Sequence, residues 1–228
     1  MNSLMHSLRR AALGYLAGGL MAAEAASTFT VATYNLENYV DVTAGGRVAK
    51  PAEAKAKIRE SIRAMRPDVL AVQETGSTNT LLELRASLRA EGIDFPHWEY
   101  VQGSDTNIAV GLLSRYPIAA RRPHPRESFL LRGRRHRVSR GFLEVDIQVH
   151  SRYSFTLLNA HLKSRRTIPN ADQAELRAQE AILLRSKVDA VLQARPRANL
   201  IVLGDFNDTK DSEPLKTLLG KRPRALLD

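Results

Sequence analysis

The stretch GFLEVDIQVHSRYSFTLLNAH, from Gly141 to His161, limits the fold more than any other part of the chain. Leu143, Val145, Ile147 and Val149 fall on one face of its first run, and Phe142, Glu144, Asp146 and Gln148 on the other. That period of two is what a strand with one buried face requires. Only His150, Ser151 and Arg152 separate this run from the second, YSFTLLNAH. So short a link can reverse the chain but cannot carry it back across a sheet, which takes a dozen residues or more. The two runs are expected to form an antiparallel hairpin, which disfavours a purely parallel sheet.

Helical and strand patterns alternate around the hairpin. TFTVATY (Thr28–Tyr34) alternates and is rich in β-formers. PAEAKAKIRESIRAM (Pro51–Met65) opens on a proline and keeps Ile58, Ile62 and Met65 at helical spacing. DVLAVQE reads as a short buried strand, TNTLLELRASLRAEG as an amphipathic helix ended by Gly92, and NIAVGLLS (Asn107–Ser114) as a further strand. A long helix from Ala171 to Arg195 leads into a strand that ends at Gly204. The sequence has no internal repeat and no G-x-G-x-x-G or G-x-x-x-x-G-K-[ST] loop, which argues against a dinucleotide or P-loop site. Helices together with an antiparallel hairpin favour an α/β (α+β) chain with mixed sheets.

The 228 residues are enough for one sizeable domain. The chain has no cysteine, so disulfides, thiolate metal sites and cysteine nucleophiles are excluded. Any metal has to be held by carboxylate, amide, imidazole or water, which suits hard cations such as Mg²⁺, with Mn²⁺ or Ca²⁺ as alternatives. The formal charge of +10 favours polyanionic partners, nucleic acid or an anionic membrane surface. The N-terminus has the layout of an export signal: MNSLMHSLRR ends in two arginines, AALGYLAGGLMAA is apolar but too short to span a bilayer, and Ala23 and Ala25 suit cleavage after Ala25. Residues 1–25 are expected to be a signal peptide, and residues 26–228 a secreted or periplasmic domain with no stable membrane span. No protein partner is implied, and a monomer is expected.

Four apolar runs end in polar residues. VATYNLEN brings Asn35 and Glu37 to one face, VLAVQET brings Glu74, TLLNAHLKS brings Asn159 and His161, and IVLGDFND brings Asp205 and Asn207. The last of these, taken alone, reads equally well as a turn, since Gly, Asp and Asn are turn residues. Four such endings are better explained as strand ends converging on one site. Phosphate-ester hydrolysis needs a cation on the phosphoryl oxygens, an oriented water and donors for developing charge. Glu74 suits a hard metal, with Asn35 assisting through its carbonyl or a bound water. Asp205 can orient or deprotonate water, Asn207 can hold that water or a phosphate oxygen, and His161 can donate to the phosphate or assist the leaving group.

In this order, TYNLENY, PDVLAVQET, VGLLSRYPI, RGFLEV, NAHLKS and LGDFND resemble the endonuclease/exonuclease/phosphatase superfamily. That is the fold of DNase I-like nucleases, abasic-site endonucleases, inositol polyphosphate 5-phosphatases and bacterial sphingomyelinases. The resemblance runs from about Thr30 to Asp208 and implies a four-layer sandwich, two mixed sheets face to face with helices outside. It places Asn35 and Glu74 on metal-site positions, His161 on a phosphate-contacting histidine, and Asp205 and Asn207 on the pair that positions nucleophile and substrate. Arg140 falls on an arginine preceding the next strand and, with Asn107, Asn159 and Lys163, is expected to bind substrate phosphate. The family closes on Ser-Asp-His, whereas here His161 is the last histidine and no Asp-His dipeptide occurs. The expectation is a chain truncated before that motif, with its last strands missing and weak activity or none.

Arg115 to Arg140 contains nine arginines, read as a phosphate-tracking surface beside the site, which Arg165 and Arg166 extend. Glu180, between Arg177 and Arg185, is read as an ion-pair residue on a solvated helix face. The expected function is an exported, Mg²⁺-dependent nuclease acting on DNA or RNA. The alternatives are a phospholipid or sugar-phosphate phosphoesterase of the same fold, and a non-catalytic nucleic-acid-binding domain.

Overall fold

The computed structural model describes residues 28–165, 172–221 and 224–227. The expected signal peptide and Arg166 lie outside the described residues. In chain order the elements are β1 (Val31–Tyr39), α1 (Ala52–Met65), β2 (Val69–Thr75), α2 (Thr78–Ala90), β3 (His97–Val101), β4 (Ala109–Ser114), β5 (Ile118–Arg121), β6 (Ser128–Leu131), β7 (Arg134–Arg137), β8 (Phe142–His150), β9 (Tyr153–His161), α3 (Gln173–Ala194), β10 (Leu200–Asp205) and α4 (Glu213–Leu219).

One four-stranded sheet has the order β1-β2-β4-β3 and the other β10-β9-β8-β5. Both are mixed: β1 runs parallel to β2 and β10 parallel to β9, while the other pairs are antiparallel. The expected hairpin is β8–β9, with Leu143 opposite Asn159 and Ile147 opposite Phe155. The short basic pair β6–β7 stands apart.

Strand alternation builds the layers. Val69 and Ala71 of β2 join Val110 and Leu112 of β4 against Leu143, Val145, Ile147, Phe155 and Leu157 of the other sheet. The intervening residues Leu70 and Val72 turn outward to Ile58 and Ile62 of α1 and Leu81, Leu84 and Leu88 of α2. On the far side Phe142, Leu158 and Ala160 meet Ala181, Leu184 and Val188 of α3 and Leu218 of α4. The result is helices, sheet, sheet, helices, in four layers. Among the described residues β1 and β10 each end a sheet, and every residue of β10 is partly exposed.

Local chemistry sets the element ends. Ser77 caps α2 by accepting from Thr80 N–H, and Asp172 caps α3 by accepting from Ala174 and Glu175 N–H. The strand expected from Thr28 begins at Val31 and runs on to Tyr39, and the one expected from Asn107 begins at Ala109. Asp105 explains the later start: its Oδ1 accepts from Asn107 N–H at 2.9 Å, closing a turn before the sheet begins.

Candidate active site

The inner faces of β1, β2, β9 and β10 end at one place. Asn35 Nδ2 donates to Glu74 Oε1 at 3.3 Å and to Asp205 Oδ2 at 2.8 Å, joining ends from both sheets. His161 Nε2 lies 3.7 Å from Asp205 Oδ2 and 3.9 Å from Glu74 Oε1. His161 is 1% exposed, and its Nδ1 has no partner among the described residues. Burial, helped by the Arg140 charge and opposed by Asp205 and Asp105, holds this imidazole far below the usual histidine range, and therefore neutral.

Glu74 reaches the site through an irregularity. Alternation gives the inner face to Gln73, whose Nε2 donates to Thr33 Oγ1 and to Asn159 Oδ1. The β2 register shifts between Gln73 and Thr75, and Glu74 takes a left-handed φ of 61°. This turns its side chain back to Asn35 while Oε2 accepts from Asn38 N–H at 2.8 Å. β1 breaks at the same level, with Glu37 at φ 52° and Asn38 at φ 55°. Glu37 is thereby exposed instead of sharing a face with Asn35, whereas Leu36 enters the core. Such backbone conformations on residues other than glycine cluster where a chain aims side chains at a site.

Gly204 and Asp205 close β10. Asp205 Oδ1 accepts from Asn207 N–H at 2.9 Å, and Asn207, at φ 52°, donates from Nδ2 to Leu162 O at 3.0 Å. The GDFND segment is thus both a turn and a site edge. Phe206 packs against the core beneath α3 and α4, as expected for a residue facing away from Asp205.

A cationic pocket adjoins these carboxylates. Arg140 is 5% exposed, and its Nε and Nη1 have no hydrogen-bond partner among the described residues. Asp105 Oδ2 lies 3.8 Å from Arg140 Nε and 3.3 Å from Arg47 Nη2. Lys163 is half-buried with its Nζ 3.5 Å from Ser139 Oγ, and burial together with Arg140 pulls its amine below the usual lysine range. Asn107 contacts Asp105 and so belongs to this side of the site.

Several expectations need correction. Asn159 does not face a substrate. It is fully buried between the sheets, donating from Nδ2 to Val72 O at 3.1 Å and Gly111 O at 3.0 Å and accepting from Gln73 at 2.8 Å. It shares a face with His161 but sits deeper along β9, with its amide bonded to Gln73, Val72 and Gly111. Asn35 is held by more contacts than its sequence role required: its Oδ1 accepts from Glu37 N–H at 2.9 Å, while its Nδ2 bonds both acids. Glu180 is not on a solvated face. It is 1% exposed and accepts from Ser139 and Lys163 N–H. The arginine-rich segment is only partly free, since Arg115, Arg121, Arg122 and Arg132 pair with Asp68, Glu99, Glu144 and Glu175. Arg134, Arg135 and Arg137 stay exposed on the β6–β7 hairpin. Arg47 and Arg177 carry no local signal in the sequence, because their acidic partners Asp105 and Asp208 lie far along the chain.

Among the described residues no cluster of three or more His, Asp or Glu side chains that could hold a metal is present, and no helix is long and apolar enough to cross a membrane. Glu74 and Asp205, which accept from the same Asn35 amide, are nevertheless the donor type that suits Mg²⁺, commonly held by one or two carboxylates and otherwise keeping water and substrate oxygens.

The family described as the Endonuclease/Exonuclease/phosphatase family matches residues 32–227. A search of curated protein sequences finds no match. Similar solved structures include a β-hairpin deletion mutant of beta toxin from Staphylococcus aureus, at 15% identity and a TM-score of 0.62, covering 84% of this chain and 73% of that one. Sphingomyelinase C from Streptomyces griseocarneus is 18% identical with a TM-score of 0.57, covering 84% and 68%. The human Nocturnin catalytic domain is 18% identical with a TM-score of 0.60, covering 80% and 67%. At these identities the likeness is one of fold, a DNase I-like α/β sandwich.

Proposed function

Since the chain belongs to the Endonuclease/Exonuclease/phosphatase family, we infer that it hydrolyses phosphoester bonds. The observation that carries this reading is the Asn35 amide holding Glu74 and Asp205 within 3.3 and 2.8 Å, beside a neutral, buried His161. Two acids bonded to one amide at the mouth of two sheets suit chemistry on a phosphoryl group.

The residues divide the work. Glu74, with Asp205 beside it, would hold a divalent cation, Mg²⁺ by preference, whose chemistry is to polarise phosphoryl oxygens and neutralise developing charge. Asp205 is 30% exposed, so it can orient and deprotonate an attacking water while Asn35 and the Asn207 N–H keep its carboxylate in place. His161 is neutral and faces the acids through Nε2, which makes Nε2–H a donor to a phosphoryl oxygen. Arg140, whose Nε and Nη1 make no hydrogen bond among the described residues, and the amine of Lys163 supply positive charge for the non-reacting oxygens. Asn207 fixes the Asp205 turn through Leu162.

We further propose that the substrate is DNA or RNA. Support comes from the net charge of +10 and from Arg134, Arg135 and Arg137 exposed on the hairpin that leads into Arg140. On this reading residues 1–25 are a cleaved export signal, and residues 26–228 act as a monomeric domain outside the cytoplasm.

The test is Mg²⁺-dependent release of acid-soluble nucleotides from DNA and RNA, run beside sphingomyelin and sugar-phosphate hydrolysis. Glu74→Ala and Asp205→Ala are expected to lower the rate by about 100-fold or more with the fold retained, and chelation to abolish it. Salt-sensitive nucleic-acid binding without cleavage would point to the non-catalytic alternative. Cleavage retained in both variants would overturn the site.

A further inference from the structure

We propose that Glu180, on α3 and outside the reacting groups, is a positioning residue that sets the spacing of the two loops bearing Arg140 and Lys163. The proposal rests on the phosphoesterase reading above and assigns a role within it that no substrate contact requires.

The geometry is specific. Glu180 Oε1 accepts from Ser139 N–H at 3.0 Å, and Oε2 accepts from Lys163 N–H at 2.7 Å. Ser139 is the residue before Arg140, and Lys163 lies just past His161 and Leu162. One carboxylate therefore joins the segment that presents the buried, incompletely partnered guanidinium to the segment that presents the histidine and the amine. One turn earlier, Arg177 donates from Nε to Asp208 Oδ2 at 2.7 Å and from Nη1 to Lys163 O at 3.3 Å, so the same helix face also holds the loop after Asp205.

An ionisable group is a costly choice for a tie between a helix and two loops. Burial of a carboxylate is unfavourable and pushes the Glu180 group up, against the two N–H donors and the charges of Arg140 and Lys163. What a carboxylate alone supplies is two acceptors on one rigid fork, together with negative charge behind the two cations. The fork and the charge, behind a buried Arg140 and a half-buried Lys163, both serve a pocket that must present cations to an anion without letting them drift apart.

Glu180→Gln, Glu180→Ala and, as a control, Leu184→Ala separate positioning from simple stability. Leu184 lies one turn on in α3 and is wholly buried, with an apolar side chain that can bond neither the Ser139 nor the Lys163 N–H. Each variant is assayed for thermal midpoint, for kcat and KM on bis(p-nitrophenyl) phosphate with Mg²⁺, and for inorganic phosphate binding by calorimetry. Gln keeps one acceptor, so kcat/KM and phosphate affinity are expected to fall about 10-fold in Glu180→Gln and about 100-fold in Glu180→Ala. Leu184→Ala is expected to lose thermal stability while keeping phosphate affinity and KM within about twofold. Phosphate affinity unchanged in Glu180→Gln, or losses that track the thermal midpoint equally in all three variants, would overturn the assignment while leaving the phosphoesterase reading intact. A wild-type chain that neither cleaves nor binds phosphate would defeat the reading and the assignment together.

Discussion

Gly204 gives the sharpest test of how the site is held. It is paired with Ala160 across the parallel β10–β9 ladder, one step before Asp205 meets His161. Its φ is +135°, a region closed to other residues, and a Cβ built there would lie 1.9 Å from Ala160 O and 3.0 Å from Ala160 N. Gly204→Ala therefore forces the strands apart by about 1 Å, and misplacement on that scale can cost about 100-fold in rate. The contact first lost is the 2.8 Å bond from Asn35 to Asp205, which lies next along the chain. Backbone strain adds about 1–3 kcal/mol of destabilisation, and for a chain of this size each kcal/mol is worth about 2–4 °C in Tm. Gly92→Ala is the comparator: Gly92 also has a positive φ of 88°, but a Cβ there meets nothing within 4 Å. It should lower stability through strain alone and leave the rate untouched. Urea unfolding followed by circular dichroism, with steady-state kinetics on a diester substrate, measures both effects. Gly204→Ala with kcat/KM within threefold of wild type and an unchanged unfolding midpoint would refute the reasoning.

Two further expectations concern stability. Asn159→Ala strands the Val72 and Gly111 carbonyls and the Gln73 amide in the inter-sheet core, and should cost about 2–4 kcal/mol in urea unfolding; a loss below about 0.5 kcal/mol would show that the three bonds are not what joins the sheets. The acid limb of stability should follow Glu144 and Asp146. Burial alone would raise both carboxyls, but His124 and Arg122 at Glu144, and Arg122, Thr156 and Arg195 at Asp146, bring them below their ordinary values. With folded values depressed, their contribution is complete above the unfolded range near about pH 4 and is lost as pH falls through the folded values. Arg122→Ala should flatten the decline in urea midpoint between about pH 5 and 3, and an unchanged slope would exclude this network as its source.

What the sequence shows and hides follows from the range of each interaction. Alternation within one strand is local, so Leu70 and Val72 against Val69 and Ala71, and the inward face of Leu143, Val145 and Ile147, are readable before any fold is known. Alternation tells which face a residue occupies but not how deep it lies. Asn159 and His161 share a face, yet the first is sealed between Val72 and Gly111 while the second stands at the acids. Alternation also fails where the backbone breaks it: a regular strand would turn Glu74 to the helix side, and only its left-handed φ returns it to Asn35. Glu180 is hidden for a third reason. Flanking arginines on a helix normally signal a solvated face, but here the helix covers the back of the site and its charges bond to loops 17 and 41 residues away in sequence. The residues legible from sequence are those at strand ends to which the proposed function assigns the chemistry. Those that fix the strand ends in place are set by partners far along the chain, so a search for further determinants of activity belongs on the buried charges of α3 before the exposed arginines of the hairpin.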